Sequence, residues 1–356
     1  MALRTKLAAY FLELMNGSSS HCWDGLVLGA LERASVLYRK GVEKKYRSYA
    51  DHPERQVRLD AVVISLGNIT VGGTGKTPAA CMLAQRLQRE GYRVALLNRG
   101  YRSQKEHDGA VMSDGRQVLL SAAEGGDEAC LMARSLPGIP VVIGRERQRS
   151  GQMAIEQFGS QVLLLDDGFQ HWQLHRDLDI VLVDATNPFG NGKVLPRGIL
   201  REPMEHLNRA GLFLITKCDQ ASREAIDAVY GALQAYNPDA PIAESVHRAK
   251  WCISFSDWNG MKGRENCQAL PKGTKAVAVS ALGNPASFEQ TIRSFGYDVV
   301  QALRYDDHHH YGTDDMAAMK KAADAAGAVL ITTEKDAVSS SGMDQTIRSA
   351  PCTSWA

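Results

Sequence analysis

Short apolar runs alternate with amphipathic stretches along most of the chain. The first run, at 60–67, is rich in β-branched residues and leads through several glycines into a helical pattern that extends over 77–91. The alternation then repeats, with strands expected at 94–97, 140–143, 161–165, 180–183 and 212–215 and helices at 128–134 and 147–158. Strands that alternate with helices form mainly parallel sheets with helices on both faces, so the pattern predicts an α/β fold.

The first fifty residues have a pattern of their own. Residues 3–49 are helical and amphipathic, and Gly17 with the serines after it divides them into two helices. In the second helix, apolar residues such as Trp23 and Leu37 are flanked by a basic set, Arg39, Lys40, Lys44, Lys45 and Arg47. This combination is typical of helices that lie in the bilayer interface. An ordinary helical pair, packed on the core with a solvated basic face, explains the pattern equally well.

A change from a regular to an irregular sequence pattern predicts a domain boundary near residue 245. Residues 245–274 are irregular and contain Gly260, Gly263 and Pro271, and a new strand, helix, strand pattern begins at Lys275. We therefore predict membrane-associating helices at 1–55, the main α/β domain at 56–245 and a smaller C-terminal α/β domain at 246–356.

Charge and cysteine content narrow the classes of function. The chain carries 41 basic and 40 acidic residues, a net charge of +1, so nucleic acid is not an expected partner. Its seven cysteines form no C-x-x-C pair, which favours reduced thiols in a cytosolic compartment. The sequence shows neither a long uncharged apolar stretch nor a signal-peptide pattern, so we expect neither a membrane span nor export by a cleaved signal.

The glycine-rich segment between the first strand and its helix has the composition of a phosphate-binding loop. Its glycines would let backbone N–H groups converge on phosphate oxygens, and the following helix adds the positive end of its dipole. Lys76 is expected to reach the outer phosphates of ATP and the Thr77 hydroxyl to bind Mg²⁺. A strict P-loop pattern has glycine where this chain has Thr70. The expected nucleotide-binding residues are Gly72, Gly73, Thr74, Gly75, Lys76 and Thr77, which make the sheet P-loop NTPase-like.

A second apolar strand ends in two acids, Asp166 and Asp167. Carboxylates at this position hold the magnesium shell in P-loop NTPases, so both residues are predicted metal ligands. Side chains alternate along a strand, so the two should point in different directions and have different roles. The sequence leaves open which one contacts the ion directly. His171 follows at the edge where such sheets bind ligands, although a lone histidine there is more often structural.

Eight short motifs, taken together, resemble one family. They are Val-Gly-Gly-Thr-Gly-Lys-Thr-Pro at 71–78, Asn-Arg-Gly-Tyr at 98–101, Gly-Asp-Glu at 126–128, Asp-Asp-Gly-Phe-Gln-His at 166–171, Gly-Asn-Gly at 190–192, Leu-Pro-Arg-Gly-Ile-Leu-Arg-Glu-Pro at 195–203, Asp-His-His at 307–309 and Thr-Thr-Glu-Lys-Asp at 332–336. In this order the chain resembles the tetraacyldisaccharide 4′-kinases of the lipid A pathway. The tail beyond residue 338 departs from the family pattern.

The resemblance implies a reaction and a place for it. A member of this family transfers the γ-phosphoryl group of ATP to the 4′-hydroxyl of a tetraacylated glucosamine disaccharide 1-phosphate and produces lipid IVA. It works at the cytoplasmic face of the inner membrane of Gram-negative bacteria as a peripheral protein. The implied partners are the lipid substrate and the membrane surface, and no obligate protein partner is evident.

The resemblance also assigns roles to individual residues. Asp127 corresponds to the proposed catalytic base and His308 to its partner histidine, while Lys76 and Asp167 keep the roles given above. His171, Arg201 and Glu202 are implied to line the active site. A carboxylate oriented by an imidazole can accept the proton of a sugar hydroxyl during phosphoryl transfer. From the residues alone, Asp127 could equally be a helix-capping acid.

Two alternatives use the same phosphate loop differently. A P-loop NTPase switch would hydrolyse ATP without a lipid acceptor. A catalytically silent binding protein would hold the nucleotide without turnover.

Overall fold

A computed structural model of the protein describes residues 24–248, 252–259, 270–282, 285–306, 309, 311–338, 347–350 and 354–355. The first predicted N-terminal helix and His308 lie outside these residues. The helices are α1 (Asp24–Ala50), α2 (Lys76–Arg89), α3 (Ala122–Gly125), α4 (Asp127–Ser135), α5 (Arg147–Phe158), α6 (Arg223–Tyr236), α7 (Phe255–Asn259), α8 (Pro285–Ser294), α9 (Thr313–Ala326) and α10 (Glu334–Val338). Short 3₁₀ helices lie at Pro53–Arg55, Met204–Arg209 and Cys218–Gln220.

The strands include those expected from the sequence, together with others that were not predicted. They are β1 (Val62–Gly67), β2 (Val94–Asn98), β3 (Ala110–Ser113), β4 (Val141–Ile143), β5 (Val162–Asp166), β6 (Leu178–Asp184), β7 (Leu212–Thr216), β8 (Ile242–Glu244), β9 (His247–Arg248), β10 (Ile253–Ser254), β11 (Lys275–Ser280), β12 (Asp298–Arg304), β13 (Val329–Thr333), β14 (Ile347–Ala350) and β15 (Ser354–Trp355).

The chain divides into two compact units. Unit 1 comprises Met1–Lys76 and Leu165–Val246, and unit 2 comprises Thr77–Leu164 and His247–Ala356. The predicted domains at 1–55, 56–245 and 246–356 divide the chain by segment instead, and they stay a prediction.

In unit 1, four strands run parallel in the order β1-β6-β7-β8. The buried apolar side chains of β6 and β7 join those of α6 and of the 194–210 segment in one core that includes Phe169, Val181 and Phe213. Because these strands are parallel, their carboxyl ends lie at one edge, where open α/β sheets bind ligands.

The long helix α1 is attached to the 193–205 segment of the same unit. The Ser35 hydroxyl donates to the carbonyl of Val194 at 2.8 Å, and the Tyr38 hydroxyl donates to that of Arg201 at 3.0 Å. On its other side α1 leaves Leu26 81% and Leu37 70% exposed. The helix therefore has a docked face and a solvent face that mixes apolar with basic residues. No described helix has both the length and the apolar content needed to cross a bilayer.

Unit 2 contains further strands of mixed direction and a second sheet. The first set has the order β3-β4-β2-β5, with β4 parallel to β2 and β3 antiparallel to β4. The second sheet has the order β10-β14-β13-β11-β12, in which only β10 runs antiparallel to its neighbour among these described strands. Alternate residues of β11 enter two separate apolar clusters, so both faces of this sheet are covered. The predicted fold class, a mainly parallel α/β sheet with a second and smaller one, is confirmed.

Candidate active site

The predicted phosphate loop lies at the carboxyl end of β1 and leads directly into α2, which begins at Lys76. Gly72 and Gly75 have φ angles of 117° and 83°, which residues with side chains rarely adopt. A Cβ atom on Gly72 or Gly73 would meet nothing within 4 Å. The loop therefore has the conformation that glycine allows and open space for phosphate oxygens to approach its N–H groups.

Residues at the end of β7 hold this loop in place. The Thr216 hydroxyl donates to the carbonyl of Thr74 at 3.0 Å, and the Lys217 ammonium donates to that of Gly73 at 3.0 Å. Lys217 also forms an ion pair with Asp184, the last residue of β6. Two neighbouring strands thus fix the shape of the loop.

A short backbone bridge brings Arg201 to the start of the loop. The Arg201 N–H donates to the carbonyl of Ile69 at 2.6 Å, and the Val71 N–H donates to that of Ile199 at 2.8 Å. These bonds join 69–71 to 199–201 across more than a hundred residues of sequence. The resemblance placed Arg201 in the active site, and the bridge is the physical reason for its position beside the loop.

Lys76, Asp167 and Arg201 form an ionic cluster at the loop, which we call the phosphate cluster. The Lys76 Nζ donates to Asn68 Oδ1 at 3.1 Å and lies 3.7 Å from Asp167 Oδ1. The Arg201 guanidinium donates to that same carboxylate oxygen at 2.7 Å. Two cations thus face one carboxylate, which leaves the cluster net positive and suited to phosphate oxygens.

The two predicted metal-binding acids differ in environment, and the reason is that β5 ends at Asp166, so Asp167 lies outside the strand. Asp166 ends β5 and is only 3% exposed, whereas the Asp167 side chain is 40% exposed. Asp167 adopts a left-handed φ of 55°. Such a backbone conformation is uncommon for a residue with a side chain and is concentrated at functional sites.

The residues predicted to hold Mg²⁺ fit the ion chemically. Mg²⁺ prefers oxygen donors and usually takes one or two carboxylates together with phosphates and water. Asp166 and Asp167 supply carboxylates, and Thr77, the second residue of α2, supplies a hydroxyl. The described residues contain no cluster of three or more His, Cys, Asp or Glu side chains suited to a metal ion. A site completed by nucleotide phosphates needs no such cluster.

Glu202 is fully buried in a polar network next to the phosphate cluster. Its carboxylate accepts hydrogen bonds from Gln170 at 2.6 Å and Arg209 at 2.8 Å, and the His206 Nδ1 lies 2.7 Å away. Burial alone would raise the pKa of Glu202, but the hydrogen bonds from His206 and the Arg209 charge outweigh it and lower that pKa. Gln170 also donates to the Asn68 carbonyl at 2.9 Å. Glu202 therefore supports the loop through Gln170 and does not itself face open space.

His171 is half-buried beside this network. Its N–H donates to the carbonyl of Gly168 at 2.9 Å, and its own carbonyl accepts from Arg176 at 2.8 Å. The backbone of His171 thus closes the turn that follows the two acids.

An open cleft of about 440 Å³ lies between α1 and this site in unit 1. Its walls combine aromatic rings, cations and amide groups, from Tyr38, Gly41, Val42, Lys45, Gln170, Trp172 and Arg201. The Lys45 ammonium lies 5.4 Å from the centre of the Trp172 ring. Aromatic walls with adjacent cations suit a ligand that has both a ring and an anionic group.

Asp127 lies in unit 2 as the first residue of α4. The preceding Gly126 has a φ of 94°, and a Cβ there would lie 3.5 Å from the backbone of Gly100. The Gly-Asp-Glu motif therefore contacts the Arg-Gly-Tyr motif. Asp127 is half-buried in the first turn, where the helix dipole favours a carboxylate.

His308 lies outside the described residues, so its partnership with Asp127 stays a prediction. Its neighbour His309 has a structural environment: its ring stacks on Tyr305 with 4.8 Å between centroids and meets the edge of Tyr311 at 5.2 Å. The His309 Nε2 lies 2.9 Å from Asp315 Oδ2. These contacts explain a histidine at 309 without a catalytic role.

Several residues of the site escaped the sequence analysis. Asn68 binds Lys76, Gln170 joins Glu202 to the loop, and Lys217 holds Gly73. Their place in the sequence could have identified two of these residues, because Asn68 and Lys217 each directly follow a parallel strand.

Comparison with known proteins identifies relatives along nearly the whole chain. The sequence model of the tetraacyldisaccharide-1-P 4′-kinase family matches residues 28–355, including the tail that departs from the family motifs. A tetraacyldisaccharide 4′-kinase of Halothermothrix orenii is 38% identical over 348 residues, which are 96% of this chain and 90% of the relative. One of Anaeromyxobacter sp. is 41% identical over 315 residues, which cover 88% of this chain and 83% of the relative.

Among solved structures, LpxK from Aquifex aeolicus in complex with ATP superposes with a TM-score of 0.70. It is 25% identical in sequence, and the match covers 92% of this chain and 94% of that one.

Proposed function

Because the chain belongs to the tetraacyldisaccharide-1-P 4′-kinase family, we propose that its phosphate cluster binds the ATP phosphates and that Asp127 activates the acceptor. The chain is a lipid kinase that transfers the γ-phosphoryl group of ATP to the 4′-hydroxyl of tetraacyldisaccharide 1-phosphate and so produces lipid IVA. The comparisons give no support to the alternative of an NTPase switch without a lipid acceptor.

The observation that carries the proposal is the arrangement of Lys76 and Arg201 on one oxygen of Asp167. A polyphosphate would offer both cations a stronger anionic partner than a single, partly exposed carboxylate. In phosphoryl transfer the negative charge on the equatorial oxygens must be stabilised, and fixed cations do this without reorganisation. We therefore assign Lys76 to the outer phosphates and Arg201 to the transferred group.

Mg²⁺ would be held by the Thr77 hydroxyl together with Asp166 or Asp167. When bound, the ion supplies charge neutralisation between the outer phosphates. Of the two acids, Asp167 already shares its carboxylate with Lys76 and Arg201, so its side chain links the cations to the metal site. Glu202 and Gln170 keep Asn68, and through it Lys76, in position.

Asp127 accepts the proton of the acceptor in this proposal. The 4′ oxygen forms a bond to the γ-phosphorus while the bond from that phosphorus to the bridging oxygen breaks, ADP leaves, and the hydroxyl proton passes to the Asp127 carboxylate. His308 would orient this carboxylate. His171 is assigned to the lining of the site.

The acceptor headgroup is proposed to occupy the cleft beside α1. Its aromatic and cationic walls suit a sugar ring that carries a phosphate. The exposed Leu26 and Leu37 of α1 lie on a helix rich in basic residues, a pattern suited to anionic lipid. We place the protein at the cytoplasmic face of the inner membrane, attached peripherally.

The test is transfer of labelled phosphate from ATP to detergent-solubilised tetraacyldisaccharide 1-phosphate, with and without Mg²⁺. Magnesium-dependent 4′-phosphorylated lipid is the expected product. Phosphate release that does not depend on the lipid would favour the switch, and nucleotide binding without either reaction would favour the silent binding protein.

A further inference from the structure

Thr70 stands where a strict P-loop pattern has glycine, and the transfer proposed above gives this residue no role. Its φ lies outside the left-handed region that favours glycine, and its backbone pairs with Leu200 in an antiparallel bridge. The residue is buried, with 4% of its surface exposed. A threonine is therefore accommodated here without backbone strain, and what it adds to the loop is a buried hydroxyl group.

The Thr70 hydroxyl binds one end of a buried amide whose other end binds Lys76. The Asn68 Nδ2 group donates to Thr70 Oγ1 at 3.1 Å, and Asn68 Oδ1 accepts from the Lys76 ammonium at 3.1 Å. Asn68 is fully buried, so its amide relies on these partners and not on bulk water. The three side chains thus form a chain of two hydrogen bonds that ends on the lysine assigned to the outer phosphates.

The backbone around Thr70 is fixed from both sides, so the orientation of the Asn68 amide depends on its side-chain partners. The Asn68 carbonyl accepts from Gln170 at 2.9 Å, and the two backbone bonds between 69–71 and 199–201 hold the residues that follow. An asparagine amide accepts on its oxygen side and donates on its nitrogen side, whereas a lysine ammonium only donates. The contact with the ammonium is therefore favourable in one orientation of the amide, the one in which its nitrogen faces the Thr70 hydroxyl.

We propose that Thr70 is a positioning residue for the transfer reaction, which turns the oxygen of Asn68 towards Lys76 and so places this ammonium for the outer phosphates. This inference rests on the proposed role of the phosphate loop. Without the hydroxyl, the buried nitrogen of the Asn68 amide would lack its acceptor, and such a group is costly to leave unsatisfied. The amide would turn towards another acceptor and withdraw its oxygen from Lys76. Glycine, the residue of the strict pattern, has no side chain that could prevent this.

The test compares side chains at position 70 in the full-length protein. Both kcat and KM for ATP are measured in the labelled-phosphate assay with Mg²⁺ and detergent-solubilised tetraacyldisaccharide 1-phosphate. Thr70→Val keeps the shape of the side chain but removes the hydroxyl, and it should lower kcat/KM about tenfold. Thr70→Ser keeps the hydroxyl and should retain most of the wild-type value. Thr70→Gly introduces the residue of the strict P-loop pattern and should nevertheless lower kcat/KM about as much as the valine variant.

A double-mutant cycle with Lys76→Ala separates positioning from a general effect on the fold. If Thr70 acts through Lys76, its hydroxyl has nothing left to position once the ammonium is removed. Thr70→Val should therefore lower kcat/KM by less than about twofold in the Lys76→Ala background. A merely structural role would give the same loss in both backgrounds. Ser245→Ala is the matched control, since it removes another buried hydroxyl of unit 1, which donates to the Ile215 carbonyl at 3.0 Å, and it should leave kcat/KM unchanged.

The outcomes separate this inference from the proposed function. Wild-type kcat/KM in both Thr70→Val and Thr70→Gly, or an equal loss with and without Lys76, would overturn the role of Thr70 while the phosphate loop stands. If Lys76→Ala itself retains a near-normal rate, the assignment of the phosphate loop falls, and positioning by Thr70 falls with it. A Thr70→Val variant that does not fold leaves the decision to Thr70→Gly, which places no methyl group beside the amide.

Discussion

Replacing Glu202 by glutamine tests the buried network behind the phosphate cluster. The substitution keeps the size of the side chain but removes a charge that is fully buried and bonded to Gln170, His206 and Arg209. The Arg209 side chain is only 11% exposed, so its guanidinium would lose a charged partner where water cannot replace it. Breaking a buried ion pair by removing one partner costs about 3–5 kcal/mol. The glutamine carboxamide oxygen can still accept one hydrogen bond, so we expect the free energy of unfolding to fall by about 3 kcal/mol, the lower end of this range.

The assay is urea unfolding of the full chain, with Glu205→Gln as the matched control. Glu205 pairs with Arg39 at 2.9 Å, but both side chains are about half exposed. An exposed pair of this kind contributes about 0–1 kcal/mol. The calculation is refuted if both variants lose the same stability, because burial would then have no effect on the strength of the Glu202 interactions.

The stability difference between wild type and Glu202→Gln should change with pH in one direction. The folded pKa of Glu202 lies below its unfolded value, since the hydrogen bonds from His206 and the charge of Arg209 overcome burial. Such a group contributes stability above its unfolded pKa, about 4.3, and loses it as the pH falls through the folded value. The difference in free energy of unfolding between wild type and Glu202→Gln should therefore be largest at pH 7 and become smaller in acid. A stability difference that grows in acid would contradict the lowered pKa of Glu202.

Three further predictions concern the loop and the proposed base. Lys76→Ala should lower the transfer rate about 10²- to 10³-fold because a fixed charge at the outer phosphates is lost, and a near-normal rate in the labelled-phosphate assay would remove Lys76 from the mechanism. Asp127→Asn should reduce transfer about 10²-fold or more with ATP affinity unchanged, whereas the exposed neighbour in Glu128→Gln should leave both unchanged. Gly67→Ala should destabilise the chain by about 1–3 kcal/mol in urea unfolding, since the new Cβ would lie 2.4 Å from that of Phe169. Gly29→Ala in α1, where a Cβ meets nothing within 4 Å, should instead be neutral or stabilising.

Elements with strong local patterns could be predicted from the sequence. Helix α5 has the predicted bounds, Arg147–Phe158, because its apolar residues recur at helical spacing and Gly159 ends it with a left-handed φ of 60°. Strand β3 and helix α3 were not predicted. Each is only four residues long, too short for either periodicity to show.

Only the parts of the site that are contiguous in the sequence could be predicted. The loop from Gly72 to Lys76 is contiguous and carries its chemistry in order. The contact of Gln170 with Asn68 spans 102 residues and that of Lys217 with Gly73 spans 144. Such contacts are set by the order of parallel strands, which the sequence leaves open. Arg201 was named through family resemblance alone, and its ion pair with Asp167 became visible only in the structure.

The attachment of α1 has a consequence for how the protein can be altered. The same helix offers Leu26 and Leu37 to its surroundings, supplies Tyr38 and Lys45 to the cleft, and binds the carbonyl of Arg201. The proposed membrane-facing surface and a wall of the cleft therefore belong to one helix and cannot be removed separately. A lipid tail grafted in place of α1 would not rebuild the cleft, so we expect a chain without α1 to lose the cleft whether or not it binds vesicles.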